Sequence, residues 1–378
     1  MNRKLALLAL LAAMCLTAGC WDYRRLTDIT FALGMGLDLE SDGKLLVTLQ
    51  FPLPGIMKGG AGGGGGEQGN GAGAEGQGPQ FFMVEGRGST LPQALNDAQR
   101  RLSRPMSFGH LQVVLLGRTM AESDGFTLEE LLRFAELDKM SHLMVVDGAT
   151  AAEALRVVPQ QERMPALYLT MLMDSLGRTR TQAEPSRLID ALVLGLENGR
   201  DLLVTVIKLE EGQHVVEGVG VFRHFHLVVT LGHEETRALL LTVGKTTNAT
   251  MSFERDDGTR WSFRRIRTTN AKMSVTEGSR ARLLVRLRIA AEVGGSEGGP
   301  LTISAAEMRA MEETLARLLR QEVEAVIRRL QQLEVDPLGF FAQQYGHLHD
   351  DERWRHTFRE AALQVDVSVQ LKRKGQVD

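Results

Sequence analysis

Apolar and polar residues alternate along Ile29–Asp38, with Ile29, Phe31, Leu33, Met35 and Leu37 on one face, and again along Leu45–Phe51. A period of two predicts strands. Ser41-Asp42-Gly43 between them predicts a hairpin turn, and Pro52 and Pro54 end it. Residues 59–78 are mostly Gly with Ala, Glu, Gln and Asn, a composition that cannot bury apolar surface. Strand-like Phe81-Phe82-Met83-Val84 resumes directly afterwards, so this segment interrupts a domain rather than separating two. A helix is predicted from Thr90 to Leu102, with Pro92 in its first turn. His110–Leu116 and Ser141–Asp147 read as buried strands, and Pro165–Leu176 and Ser186–Leu196 as helices. Thr127-x-x-Glu130 and Thr150-x-x-Glu153 are capping boxes that open two shorter helices.

From Leu202 the pattern turns to strands: 203–209, 215–222, 227–231, 261–267, 272–276 and 282–289, with a short helix at Glu234–Val243. In 282–289, Leu283, Val285, Leu287 and Ile289 face inward while Arg286 and Arg288 face outward. Ser304-x-x-Glu307 then opens the longest helix, whose apolar stripe from Met308 to Leu330 has a period of 3.6 and ends at Asp336-Pro337. A helix at Trp354–Ala362 follows. In the closing strand, Val365, Val367, Val369 and Leu371 alternate with polar residues, which predicts one wet face and an antiparallel partner. The expected fold class is α+β (mixed α/β), with antiparallel sheets packed by helices in more than one subdomain. The C-terminal domain would hold one long helix against a sheet. The expected regions are 20–200, with subdomains near 21–118 and 119–200, and 201–378.

The N-terminus changes the picture most. Arg3-Lys4, an apolar run from Leu5 to Leu16, and Thr17-Ala18-Gly19 before Cys20 give the three parts of a secretory signal, expected to span 1–19. The run is too short for the roughly 20 residues a membrane span needs. Small residues before a cysteine form the pattern of a bacterial lipoprotein signal, so Cys20 is the candidate lipidation site. Loss of Arg3 and Lys4 makes the mature chain two units more negative than the full chain's formal −3. This balance argues against nucleic acid as a partner. Cys15 leaves with the signal, so no intramolecular disulfide is expected.

Motifs for chemistry are sparse. Gly71-x-Gly73-x-x-Gly76 lies in Gly-rich chain, without the strand and helix a dinucleotide site requires. Gly244-Lys245-Thr246 lacks the earlier P-loop glycine, because position 239 is Leu. His347, His349, Asp350, Asp351 and Glu352, and likewise His224-Phe225-His226, fit no metal-ligand spacing. No catalytic residue, metal or cofactor is expected.

The ordered set of Gly19-Cys20-Trp21-Asp22, Arg24-Arg25 and Gly34-x-Gly36-x-Asp38 resembles the start of the Ger(x)C spore germination lipoproteins. The segments Pro165–Leu169, Glu217–Phe222, Glu234–Leu240, Val335–Phe340 and the closing Val-alternating strand are similar to family segments too. The resemblance implies a non-enzymatic C subunit of a nutrient germinant receptor. Such a subunit is lipid-anchored on the outer face of the spore inner membrane and acts with integral-membrane A and transporter-like B subunits. A lipoprotein that itself captures a small germinant is the alternative. Glu234, Glu235 and Arg237 are the candidate partner-binding residues, although acidic residues also suit the first turn of a helix.

Overall fold

The alternation at the start of the chain produces strands, but not one unbroken strand. The computed structural model describes residues 28–53, 80–123, 128–179, 183–196, 199–254, 258–276, 281–297, 303–345 and 351–372. The first half contains strands β1 (Thr30–Phe31), β2 (Gly34–Leu39), β3 (Leu45–Pro52) and β4 (Phe81–Gly88), then helix α1 (Leu91–Gln99). It continues with β5 (Met106–Ser107), β6 (Val113–Gly117), α2 (Arg118–Glu122), α3 (Leu128–Arg133) and β7 (His142–Asp147). Next come α4 (Ala151–Arg156), α5 (Pro165–Thr179), β8 (Ser186–Arg187) and α6 (Leu188–Leu196). The expected first strand is split because its backbone changes partner. The Ala32 N–H donates to Ser107, whereas the Leu33 N–H donates to Gln50.

The second half adds β9 (Leu202–Glu210), β10 (Gln213–Arg223), β11 (His226–Leu231), α7 (His233–Thr242), β12 (Ala249–Glu254), β13 (Arg260–Thr276) and β14 (Arg282–Glu297). It ends with α8 (Ala305–Gln332), α9 (Phe340–Tyr345), α10 (Asp351–Glu360) and β15 (Ala362–Lys372). The two strands expected at 261–267 and 272–276 are one strand, β13, whose register shifts accommodate the polar residues between them.

A nine-stranded sheet runs β11-β10-β9-β7-β6-β2-β3-β4, with β8 attached to β7. Its middle strands, β9, β7, β6 and β2, are parallel. Hairpins extend both ends antiparallel. The parallel strands are buried on both faces, so Val113–Leu116 and Leu143–Val146 are continuous apolar runs. Odd and even positions feed different cores. Val114, Leu116, Leu143 and Val145 pack with α1, α3 and α6, whereas Val113, Leu115, Met144 and Val146 pack with α4 and α5. The sheet continues through 202–231, across the change of pattern seen at Leu202.

The Gly34-x-Gly36-x-Asp38 pattern has a physical role here. A Cβ on Gly34 would lie 3.1 Å from the Ala166 methyl, and one on Gly36 would lie 3.1 Å from that of Ala151. The bare backbone lets α4 and α5 sit close on β2. The buried Asp38 carboxylate then accepts the Ala151 and Ala152 N–H groups at 2.8 and 3.0 Å, satisfying donors at the start of α4. Thr150 and Glu153 complete the expected capping box.

The second sheet is β12-β13-β14-β15, with α8 on one face. Met311, Leu315, Leu319, Val323, Val326, Ile327 and Leu330 of α8 are buried in its core, as their spacing predicts. One expectation fails. β15 runs parallel to β14, with Arg282 opposite Ala362 and Glu292 opposite Lys372. The 28 residues of α8, about 42 Å long, carry the chain back along β14 before β15 starts. The strict alternation of β15 reports that one face is uncovered; it carries no information on strand direction.

Candidate functional site

Helix α7 holds all three candidate partner-binding residues, and the structure uses two of them internally. The Glu235 carboxylate accepts the Gly232 N–H at 3.2 Å at the start of the helix and pairs with Arg329 of α8 at 2.6 Å. Arg237 donates to Glu322 of α8 at 2.6 Å and to the Thr250 carbonyl at 3.3 Å. Two ion pairs therefore fasten α7 to α8. Glu234 is exposed on the rim of a cleft of about 540 Å³, walled by Arg237, Glu322, Ser262, Arg264 and Gly294. The nearest functional reading of α7 is that it presents Glu234 while Glu235 and Arg237 hold it in place.

A second polar group joins residues 199–201 to the segment after α8. Asp201 lies just before β9, and its carboxylate receives two hydrogen bonds from Arg355 of α10, at 3.0 and 3.1 Å, and the Asp336 N–H at 2.5 Å. Asp336 returns a carbonyl to the Asp201 N–H at 3.1 Å. Its carboxylate accepts the Gly339 and Phe341 N–H groups at 2.9 and 3.0 Å, which shapes the entry to α9. Arg355 also donates to the Glu334 carbonyl at 2.7 Å, and Arg200 to that of Pro337 at 2.9 Å. The Val335–Phe340 segment is thus the docking point of the C-terminal helices on the start of β9. Nothing in the sequence marked Asp201 or Arg355. The signal available was a lone carboxylate directly before the apolar run Leu202–Ile207.

Burial, followed by the nearby Asp201 charge, pushes the Asp336 carboxyl up to about 6. Between about pH 4 and 6 the folded protein holds a proton that the unfolded chain has released. The stability from this group is therefore complete below that window and falls as pH rises through it. The expected result is that wild type loses stability relative to Asp336→Asn as pH is raised from 4 to 6. Denaturant midpoints taken across that range measure this, and parallel profiles would refute it.

The remaining candidates find structural roles or lie outside the description. Cys20 and the triad His347, His349 and Asp350 lie outside the described residues. His224 and Phe225 occupy a tight turn at φ +47 and +70, and the His226 ring meets the Ser123 carbonyl at 2.9 Å. Gly244, at φ +72, follows the C-terminus of α7, and Lys245 pairs with Glu184. That is the electronegative end of a helix, the wrong pole for phosphate. No group of three or more His, Cys, Asp or Glu side chains is placed to hold a metal among the described residues. Nor is any described helix long and apolar enough to cross a membrane.

Comparison with known proteins adds to this geometry. Residues 22–209 match the family described as spore germination protein N-terminal domain. Residues 217–375 match the one described as spore germination B3/GerAC like, C-terminal. Spore germination protein B3 of Bacillus subtilis is 25% identical over 97% of this chain and 96% of its own length. The putative spore germination protein YfkR of the same organism is 24% identical over 88% and 85%. The crystal structure of the GerBC protein superposes with a TM-score of 0.52 at 19% identity, covering 93% of this chain and 99% of that one. The last likeness is one of fold.

Proposed function

The chain belongs to the GerAC family of spore germination proteins, and from that premise we propose that it is the lipid-anchored, non-enzymatic C subunit of a nutrient germinant receptor. Acyl chains on Cys20 would hold it at the outer face of the spore inner membrane. One chain gives marginal attachment and two or three give stable attachment. The reading keeps two family regions, expected at 20–200 and 201–378, as an ectodomain that contacts integral-membrane subunits of the A and B types. The α7 rim at Glu234 is the proposed contact, positioned by Glu235 and Arg237.

The observation that supports this reading is that both family regions match in order across nearly the whole chain after Cys20. Deletion of the gene is expected to abolish germination with one nutrient while leaving the response to others. Complementation with Cys20→Ala is expected to leave the protein out of the membrane fraction and to restore little of the response. Undiminished germination of the deletion strain with every nutrient would overturn the receptor assignment. Incorporation of labelled fatty acid into Cys20→Ala would overturn the anchor. Saturable binding of an amino acid or sugar to the purified chain alone would favour solute capture instead.

A further inference from the structure

The face of the β12–β15 sheet turned away from α8 is cationic. Register places outward residues in rows across β13, β14 and β15: Lys272, Arg286 and Asp366 in one row, and Asn270, Arg288 and Ser368 in the next. Thr276, Arg282 and Ala362 form a row on one side, and Arg267, Ala290 and Gln370 one on the other. Lys272, Arg267, Arg282, Arg286 and Arg288 are all exposed. Carboxylates on this face are paired with its own arginines: Glu254 of β12, at the far edge, lies 3.3 Å from Arg260. Asp366 lies 3.8 Å from Arg286, and Glu292 is held by Arg264 and Arg265. Among the described residues, Arg267, Lys272, Arg282 and Arg288 make no ion pair. The chain as a whole has a formal charge of −3, so this concentration of cations runs against its average.

We infer that this face binds an anionic phospholipid surface. Charge complementarity sets the sign of the partner. The chemistry of the face selects a membrane over a protein, because it carries charge without anchors. Its other outward positions are Ser, Thr, Asn, Gln and Ala with a half-buried Leu284, and it has no aromatic residue. Specific protein interfaces are built around aromatic and apolar hot spots. Among the described residues, the exposed large apolar side chains, Met140, Val158, Met171 and Val193, all precede β9. A spread of cations over three strands suits a partner whose charge is also spread, and each Lys or Arg near such a surface adds attraction that salt screens.

The inference does not depend on lipid at Cys20, and its test removes that lipid. The chain from residue 21 onward keeps every described residue. Cosedimented with vesicles, it is expected to bind phosphatidylglycerol/phosphatidylcholine mixtures, to ignore phosphatidylcholine alone, and to dissociate in 0.5 M salt. Lys272→Glu/Arg286→Glu/Arg288→Glu is expected to lower partitioning at least tenfold. Arg317→Glu/Arg320→Glu/Arg328→Glu, an equal charge change on exposed positions of α8, is expected to change it less than threefold. Thermal melts of both variants confirm that these surface changes leave the fold intact. Equal loss in the two variants, or no binding by the wild type, overturns the inference. So does a sheet-face variant that binds vesicles normally but no longer copurifies with membrane subunits, which would make the face a protein interface. None of these results bears on whether Cys20 is acylated.

Discussion

Arg355→Met is expected to destabilise the fold by about 3–5 kcal/mol, the range for removing one partner of a buried ion pair. Asp201 is 5% exposed at its side chain and Arg355 13%, so the carboxylate left behind would face little water. The loss would come from stranding that charge rather than from the worth of the pair. Asp201→Asn combined with Arg355→Met is therefore expected to recover most of the stability. A denaturant-unfolding double-mutant cycle on the two positions measures this. Additive losses would show that the pair does not work as a unit. Because Arg355 also holds the Glu334 carbonyl, the single variant is further expected to loosen the 334–342 segment, seen as faster amide exchange at Gly339 and Phe341.

Gly86→Val is expected to cost about 3 kcal/mol, at the upper end for overpacking. Gly86 lies on β4 where α1 crosses it. A Cβ there would sit 2.0 Å from the Ala94 carbonyl oxygen and 2.6 Å from the Ala98 nitrogen. Both are helix backbone, so no rotamer change relieves the clash and α1 has to move off the sheet. Gly109→Ala, whose new methyl meets nothing closer than 3.8 Å, is expected to change stability by about 0.5 kcal/mol or less. Comparing the two denaturant midpoints separates close packing from the general effect of losing a glycine, and equal shifts would refute the packing account.

Local patterning revealed most elements and little of their arrangement. The capping boxes at Thr150 and Ser304 were legible because each needs two residue types three positions apart, and both form. The α8 stripe was legible because one helix face repeats every 3.6 residues. Strand direction was not legible. Alternation in β15 and continuity in β6 and β7 report how many faces are covered, and either pattern fits either direction. The pair 29–38 and 45–51 read as an antiparallel hairpin, yet β2 also joins β6, β7 and β9 in a parallel centre set by α1 to α6. The site was less legible still. Glu235 and Arg237 stood out as charged residues in a family segment, but Glu322 and Arg329 lie 85 and 94 residues away. Sequence spacing alone could not show that they were already taken. Gly34, Gly36 and Asp38 were visible as a pattern, and their physics emerged only when α4 lay against them.

The Asp201–Arg355 contact joins residues 154 positions apart, and that separation sets an order of events in time. As the chain emerges from synthesis, every strand of the nine-stranded sheet is present once Leu231 is out, more than a hundred residues before Arg355 exists. During that interval Asp201 has water as its partner, and the start of β9 has α6 packed on it but lacks the C-terminal helices. The seam between the two halves is therefore closed late, after the long loop spanning it has been drawn in. A nascent chain arrested before Arg355 would hold a complete large sheet with its latch open.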